Sequence, residues 1–341
     1  MNNREILVTG GAGFVGSNLV NWLTEKGNKV TIFDNLSRKG TEKNVAWLKE
    51  KFGNKVKIIE GDVRNFQQVQ DAVQGKEVIY HFAAQVAVTT SLVNPREDFE
   101  INALGTLNVL EAARLSSTPP VIAFTSTNKV YGGLEDIIVV EQKKRYSFKD
   151  LPHGVSEIQP LDFHSPYGCS KGTADQYIRD YARIFGLKTV VFRMSCIYGP
   201  RQFGNEDQGW VAYFIIASVL EKPITIYGDG KQVRDILYVE DLVRAFELAV
   251  DKIDITAGQI YNIGGGPDNT ISAWLEFREY LAELLCREVP ATFSDWRPGD
   301  QKIYVSDTRK AQRSLDWYPQ VNVKEGINRL YQWVIQNPHL F

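Results

Sequence analysis

The chain has 341 residues and a formal net charge of −2, from 39 Lys and Arg against 41 Asp and Glu, with 43% apolar and 23% charged residues. At roughly 150 residues per domain, that length allows two domains or one large domain with an appendage. Interspersed, nearly balanced charge argues against a nucleic-acid surface or a solvating acidic tail, and the apolar content excludes disordered and fibrous classes.

Three cysteines, Cys169, Cys196 and Cys286, are widely spaced and offer no pair for a metal or a redox couple, so reduced, part-buried residues are expected. The longest apolar run, Val211 to Leu220, is half the roughly 20 residues that a membrane span needs. The N-terminus enters Ile6-Leu7-Val8 without the long apolar region of a signal peptide. A soluble, cytoplasmic protein with neither membrane nor nucleic-acid partner is expected.

The elements alternate in chain order. Strands are predicted at Glu5 to Thr9, Lys29 to Asp34, Val56 to Glu60, Glu77 to His81, Val121 to Ser126 and Lys188 to Arg193, with helical segments between them. This is the pattern of a parallel sheet covered by helices on both faces. After the first strand, Thr9-Gly10-Gly11-Ala12-Gly13-Phe14-Val15-Gly16 leads into a helix. Glycines at 10, 13 and 16 permit a tight turn, close approach of backbone to a pyrophosphate, and close helix packing. Alone such a turn is equally a structural one, but Asp34 stands at the end of the second strand, where a carboxylate accepts from ribose hydroxyls. Asp34 repels a 2′-phosphate and so favours NAD, while Arg38 is a guanidinium that accommodates one.

Asp62, closing the third strand, is read either as a partner of the adenine amino group or as a helix cap before Phe66 to Val73, a duty that Asn65 fits better. Small residues in His81-Phe82-Ala83-Ala84-Gln85 let backbone lie against a dinucleotide, and His81 reads as a satisfied core histidine. Pro95 to Leu115 carries Phe99, Ile101, Leu104, Leu107, Leu110 and Ala113 on one side of a helix.

The fifth strand runs into Thr125-Ser126-Thr127-Asn128-Lys129-Val130-Tyr131-Gly132, which places hydroxyls at the carboxyl edge of the sheet, where ligands bind in doubly wound folds. In the helix from Pro166 to Phe185, Tyr167 and Lys171 share one face. The ammonium is expected to draw the phenol from near 10 toward neutrality, so that Tyr167 acts as general base on a substrate hydroxyl bridged by Thr127. The alternative, an exposed helix with an ordinary lysine, loses ground because the pair follows a dinucleotide turn. Beyond Arg193 the rhythm breaks at Gly199-Pro200 and Gly204-Asn205, Val211 to Leu220 reads as a helix, and a smaller lobe is expected.

Through these residues the chain resembles the extended short-chain dehydrogenase/reductase family of nucleotide-sugar enzymes. Further matches are Tyr198-Gly199-Pro200, Gly228-Asp229-Gly230, Val233-Arg234-Asp235, Val239-Glu240-Asp241, Tyr261-Asn262-Ile263-Gly264 and Arg297-Pro298-Gly299-Asp300. The resemblance implies an α/β fold with a Rossmann-type doubly wound parallel sheet in residues 1–193 and a smaller mixed α/β substrate lobe in 194–341, partly interleaved with the first. It also implies NAD held by Gly10, Gly13, Phe14, Val15, Gly16, Asp34, Asn35, Ser37, Arg38, Asp62, Val63, Ala83, Ala84, Gln85, Asn102, Tyr167, Lys171 and Arg193. Substrate is expected at Val88, Thr89, Ser126, Thr127, Asn128, Lys129, Ser195, Gln208, Trp210, Arg234, Arg297 and Asp300, with the two arginines on the diphosphate and Asp300 on a ribose hydroxyl.

The Asp-Glu pair that a 4,6-dehydratase of the family carries after its catalytic Thr is here Asn128-Lys129, which leaves epimerases and reductases. Longer segments, including Asp34 to Gly40, Leu161 to Gly172 and Asp207-Gln208-Gly209-Trp210, resemble members that invert carbon 2 of a CDP-sugar as homotetramers or homodimers. A carbon-4 epimerase or 4-ketoreductase and a non-catalytic dinucleotide sensor are the alternatives, and a sensor is expected to have lost Tyr167 or Lys171. The family's usual Asn is absent from Met194-Ser195-Cys196-Ile197, which passes its diphosphate contact to backbone or to Ser195. Cys169 is read as packing between helix and sheet, and Lys129 either steers the substrate or sits in solvent.

Overall fold

A computed structural model describes residues 3–297 and 299–341, so Met1, Asn2 and Pro298 of the segments named above lie outside the described residues. Five strands, β1 (Glu5–Thr9), β2 (Lys29–Asp34), β3 (Val56–Glu60), β4 (Val78–His81) and β5 (Val121–Thr127), pair in parallel. With Thr189–Met194 and Gln259–Ile263 they form a seven-stranded sheet in the order 259–263, 189–194, β5, β4, β1, β2, β3. The strand order reverses between β1 and β4, so the carboxyl ends of these two strands flank the crevice where an open α/β sheet binds its ligand. Leu7, Ile79, Ile122 and Phe124 are buried against Val69, Val109 and Ile178 from the covering helices, which is why these strands read as continuous apolar runs.

The chain divides into two compact units. The first comprises Met1–Val130, Ser165–Arg193 and Val243–Tyr261; the second comprises Tyr131–His164, Met194–Leu242 and Asn262–Phe341. The break expected after Arg193 is thus one of five crossings. No composition shift marks the others, and two of them fall within regular elements, the helix Val239–Asp251 and the strand Gln259–Ile263.

The second unit is built on Val233–Tyr238, paired with Thr270–Ser272, Ile303–Tyr304 and Cys196–Tyr198. Its core packs the helices Trp210–Val219, Phe277–Leu285 and Val323–Gln336 around Trp274 and Ile236. The apolar run noted in the sequence is the first of these helices, and it is apolar all round because the core surrounds it. Among the described residues no helix is long and apolar enough to cross a membrane. Several motif residues of this unit are braces. Asn262 takes the Tyr131 hydroxyl at 2.8 Å and donates to Val155 O at 2.8 Å, and Asp241 Oδ2 accepts from Gln320 N and Val321 N, each at 3.0 Å.

Two expectations are corrected. Cys169 and Cys286 are exposed and Cys196 is half-buried, so Cys169 does not pack between helix and sheet. The segment from Pro95 is a short helix to Phe99, a π-helical turn from Glu100 to Leu104, and a helix from Gly105 to Arg114. The wider turn rotates the buried face. Phe99 and Leu104 are exposed, while the polar Asp98, Asn102 and Thr106, four residues apart, are each 1% exposed.

Candidate active site

The turn after β1 is shaped by backbone contact. A Cβ at Gly10 would lie 2.6 Å from Ala83 N, and Gly10 has φ +68°; a Cβ at Gly16 would lie 2.3 Å from Gly10 O. At Gly13 the same atom would meet only Gly10 O at 3.2 Å, so the turn is open on that side. The helix Phe14–Glu25 that follows has no side-chain cap and no acidic residue in its first turn, which leaves its amide end free for an anion. Asp34, at the end of β2, accepts from Ala12 N at 3.0 Å and Leu36 N at 2.9 Å, and burial raises its carboxyl. Each oxygen keeps a lone pair for a ribose hydroxyl. Glycine cradle, open helix end and anchored acid together fit a dinucleotide. We expect Gly10→Ala to destabilise the protein by about 2 kcal/mol or more and to abolish NAD-dependent thermal stabilisation, measured by melting with and without NAD.

Around this turn the expected contacts sort into two kinds. Asn35 Oδ1 receives Ser37 N and Oγ at 3.2 and 2.8 Å, a local turn at the rim. Asp62 is gripped by Arg64 through Nε at 3.0 Å and Nη2 at 2.7 Å, which, with lesser help from Asn35, holds its carboxyl down to about 2. Asn65, not Asp62, caps the next helix, through Gln68 N. His81 is a core residue: Nδ1 meets Thr9 Oγ1 at 2.7 Å, Nε2 meets Thr106 Oγ1 at 3.0 Å, and burial pushes it down to about 3.

Four of the residues expected at the ligands have partners within the first unit. Arg193, expected at the cofactor, is 2% exposed and bound in two-pronged fashion to Asp175 (Nε to Oδ2 and Nη2 to Oδ1, both 2.9 Å). Ser126, expected at the substrate, gives its hydroxyl to the same carboxylate at 2.7 Å. Asn102 braces backbone: its Oδ1 accepts from Gln85 N at 2.9 Å and its Nδ2 donates to Gln85 O at 3.1 Å. The Gln85 side chain turns inward to Asp98 and Ala87 O, both at 2.8 Å. In each case a buried polar group must be paired, and the interior supplies the partner before a ligand can.

The helix Ser165–Phe185 places Tyr167 and Lys171 in the interior of the first unit, 9% and 3% exposed. The Thr127 hydroxyl bonds the phenol. Here the expected titration is corrected. Burial pushes Tyr167 up to about 12; Thr127 and, more weakly, the Arg38 guanidinium pull it down. Lys171 Nζ instead donates to Thr125 O at 2.6 Å, stands 4.3 Å from the centre of the Phe124 ring, and is itself pushed down to about 7 by burial. Desolvation is the largest influence on each group. Lys129, in the turn Asn128–Tyr131, is half-buried and donates its amide to Thr127 Oγ1 at 3.2 Å. Beside Val88, at the start of the helix Val88–Val93, the Thr89 hydroxyl is buried without a protein partner, a polar atom that suits a ligand.

In the second unit, Arg234 is paired with Asp300 at 2.8 Å. Arg297 is held by Glu206 O at 3.0 Å, by Asp207 at 3.5 Å and by the Tyr227 ring at 3.9 Å. Both guanidiniums are thereby fixed in orientation. Ser195 donates to Asp235, a fully buried acid, so its proton is already used. Trp210, expected at the substrate with Gln208, packs on Phe214 and Phe277, with Nε1 3.5 Å from Cys196 Sγ. Gln208 itself closes a turn with Asn205. Sequence reasoning missed Asp98 and Asp175; the signals were polar residues four apart at 98, 102 and 106, and at 167, 171 and 175.

Residues 7–330 match the GDP-mannose 4,6 dehydratase family. The chain is 45% identical over 336 residues to CDP-paratose 2-epimerase of Salmonella typhi, covering 96% of this chain and 98% of that protein. Among solved structures, UDP-glucose 4-epimerase of Thermotoga maritima with UDP-glucose is similar at TM-score 0.83 and 29% identity, covering 98% and 99% of the two chains. The dTDP-glucose 4,6-dehydratase DesIV of Streptomyces venezuelae, with NAD and TYD bound, is similar at TM-score 0.84 and 27% identity, covering 99% and 98%.

Proposed function

The chain belongs to the GDP-mannose 4,6 dehydratase family of extended short-chain dehydrogenases/reductases, and on that premise we propose that it is an NAD-dependent nucleotide-sugar epimerase inverting carbon 2 of a CDP-hexose. The substrate is CDP-paratose, giving CDP-tyvelose, with CDP-glucose to CDP-mannose as the related conversion, in a homotetramer or homodimer. The observation that carries the carbon-2 assignment is the 45% identity over 96% of the chain to an enzyme of that name. Elimination of water is disfavoured because Asn128 and Lys129 occupy the positions of the dehydratase acid and base.

NAD held at the 10–16 turn would supply the hydride acceptor and donor for the sugar carbon. Tyr167, in its phenolate form, takes the proton of the carbon-2 hydroxyl, which Thr127 orients. Lys171 holds positive charge beside the site, and Asp34 and the 10–16 turn seat the dinucleotide. Arg234 and Arg297 grip the diphosphate, which anchors the flat 2-keto sugar while it turns over about its bond to that group. Binding energy from the unreactive nucleotide is thus used to retain a reactive intermediate.

The test is to incubate the purified protein, with no added NAD, with CDP-glucose in heavy water and to identify the sugar by NMR, repeating with CDP-paratose. A product inverted at carbon 2 without deuterium there is expected. Deuterium at carbon 2 of the product from CDP-glucose would instead mean proton removal beside a 3-keto group, and inversion at carbon 4 would transfer the assignment to the carbon-4 epimerases.

A further inference from the structure

Behind Tyr167 and Lys171 lies a buried carboxylate that the reaction as described does not use. Asp98 is the penultimate residue of the short helix Pro95–Phe99, and the π turn that follows brings Asn102 onto the same inward face. Asp98 Oδ1 accepts from Gln85 Nε2 at 2.8 Å and from Asn102 Nδ2 at 3.2 Å, and Oδ2 accepts from Ser170 Oγ. Ser170 stands on the catalytic helix between Tyr167 and Lys171, and Gln85 stands in the loop after β4 that borders the dinucleotide turn.

These three donors are neutral, and an amide at position 98 would satisfy them as well. Its oxygen would take Gln85 and Asn102, its NH2 would face Ser170 Oγ, and Ser170 would keep its bond to Tyr167 O at 3.2 Å. Hydrogen bonding alone therefore does not call for a charge, and burying a charge costs far more than burying an amide. What a charge adds is a field on its neighbours. Burial raises the Asp98 carboxyl, while its bonds from Ser170 and Gln85 and the Lys171 ammonium favour the anion; Asp98 in turn favours the ammonium and opposes ionisation of Tyr167.

We infer that Asp98 is a positioning residue for the reaction: its carboxylate ties the loop after β4 to the catalytic helix and supplies the buried anion against which the Lys171 ammonium and the Tyr167 phenol are balanced. This rests on the roles given above to Tyr167 and Lys171. The other groups facing the pair are Asp175 on the catalytic helix, itself bound to Arg193; Arg38 beyond β2, which acts on Tyr167; and His81 on β4, uncharged between two threonines. Of the two acids acting on Lys171, Asp175 has a cationic partner and Asp98 has neutral ones, so Asp98 is the acid whose field Lys171 receives without an adjoining guanidinium.

Removing an anion makes protons leave more readily from both the phenol and the ammonium. For Asp98→Asn, therefore, both limbs of the kcat against pH profile of the holoenzyme are expected to move to lower pH, by about one pH unit. The near-ultraviolet phenolate band of Tyr167, read against Tyr167→Phe as blank, is expected to move in the same direction. Asp98→Glu keeps the anion and should hold the profile in its wild-type position even where packing lowers kcat. Should Asp98→Asn fail to fold, Asp98→Ser removes the charge with a smaller side chain, and the same shift is expected. A neutral variant with lowered kcat and an unmoved profile would make Asp98 a brace alone and overturn the inference. Loss of the underlying reading would look different: wild-type protein that fails to epimerise, or Tyr167→Phe that turns over normally.

Discussion

Tyr167→Phe is expected to lower turnover by about 10²- to 10⁴-fold, the range that positioned proton transfer contributes, while CDP affinity and the amount of retained NAD stay near wild type. The substitution deletes one oxygen and keeps the ring. Tyr167 is 9% exposed, so its packing is preserved, and Thr127, which loses the phenol, retains its contacts to Lys129 N at 3.2 Å and Asn128 Oδ1 at 3.4 Å. The phenol is held up to about 12 mainly by burial, so in this state it is a protonated hydroxyl, and the charge that makes it a base must come from neighbours. Turnover followed by NMR of the product sugar, beside calorimetric titration with CDP, separates chemistry from binding. Near-normal turnover would remove Tyr167 from the mechanism.

Asp175→Ala is expected to cost about 3–5 kcal/mol of folding stability, because it strands a buried guanidinium. Asp175 is fully buried and Arg193 is 2% exposed. The carboxylate takes two bonds from Arg193, one from Ser126 and one from Gln176 Nε2 at 2.8 Å, so four donors lose their acceptor at once. Against a typical total of about 5–15 kcal/mol, such a loss moves the urea midpoint far to the left. Removing both partners, as Asp175→Ala with Arg193→Leu, should recover part of it, since the larger penalty is the uncompensated charge. A single variant as stable as wild type would show that water or another acid reaches Arg193. The pair also separates two charges in one helix: Asp175 is bound to Arg193 on the neighbouring strand, whereas Lys171, one turn earlier, donates to Thr125 O.

The sheet was legible because its signals are local. β1, β2 and β3 match the predicted runs residue for residue, since strands covered on both faces must be apolar along their length and end abruptly at polar turns. The glycine turn and Asp34 were legible for a similar reason: a backbone that must approach β4 within van der Waals distance admits no side chain at Gly10, and the acid follows at the end of the next strand. Tyr167 and Lys171 share a face by helical spacing alone.

Sequence by itself thus determined the α/β architecture, the dinucleotide turn and the Tyr-Lys pair with its threonine, each written in residues close along the chain. Only the tertiary structure decided which polar side chains are paired inside. Arg193, Ser126 and Asn102 have the chemistry of binding residues, but their partners, Asp175 and Gln85, come from elsewhere in the chain, and pairing spends them on the interior. The inward turn of Asp98 depends likewise on a π-helical turn that no periodicity announces. Propensity and period act over a few residues, whereas the cost of leaving a buried polar group unpaired is settled among residues that meet only when the chain has folded.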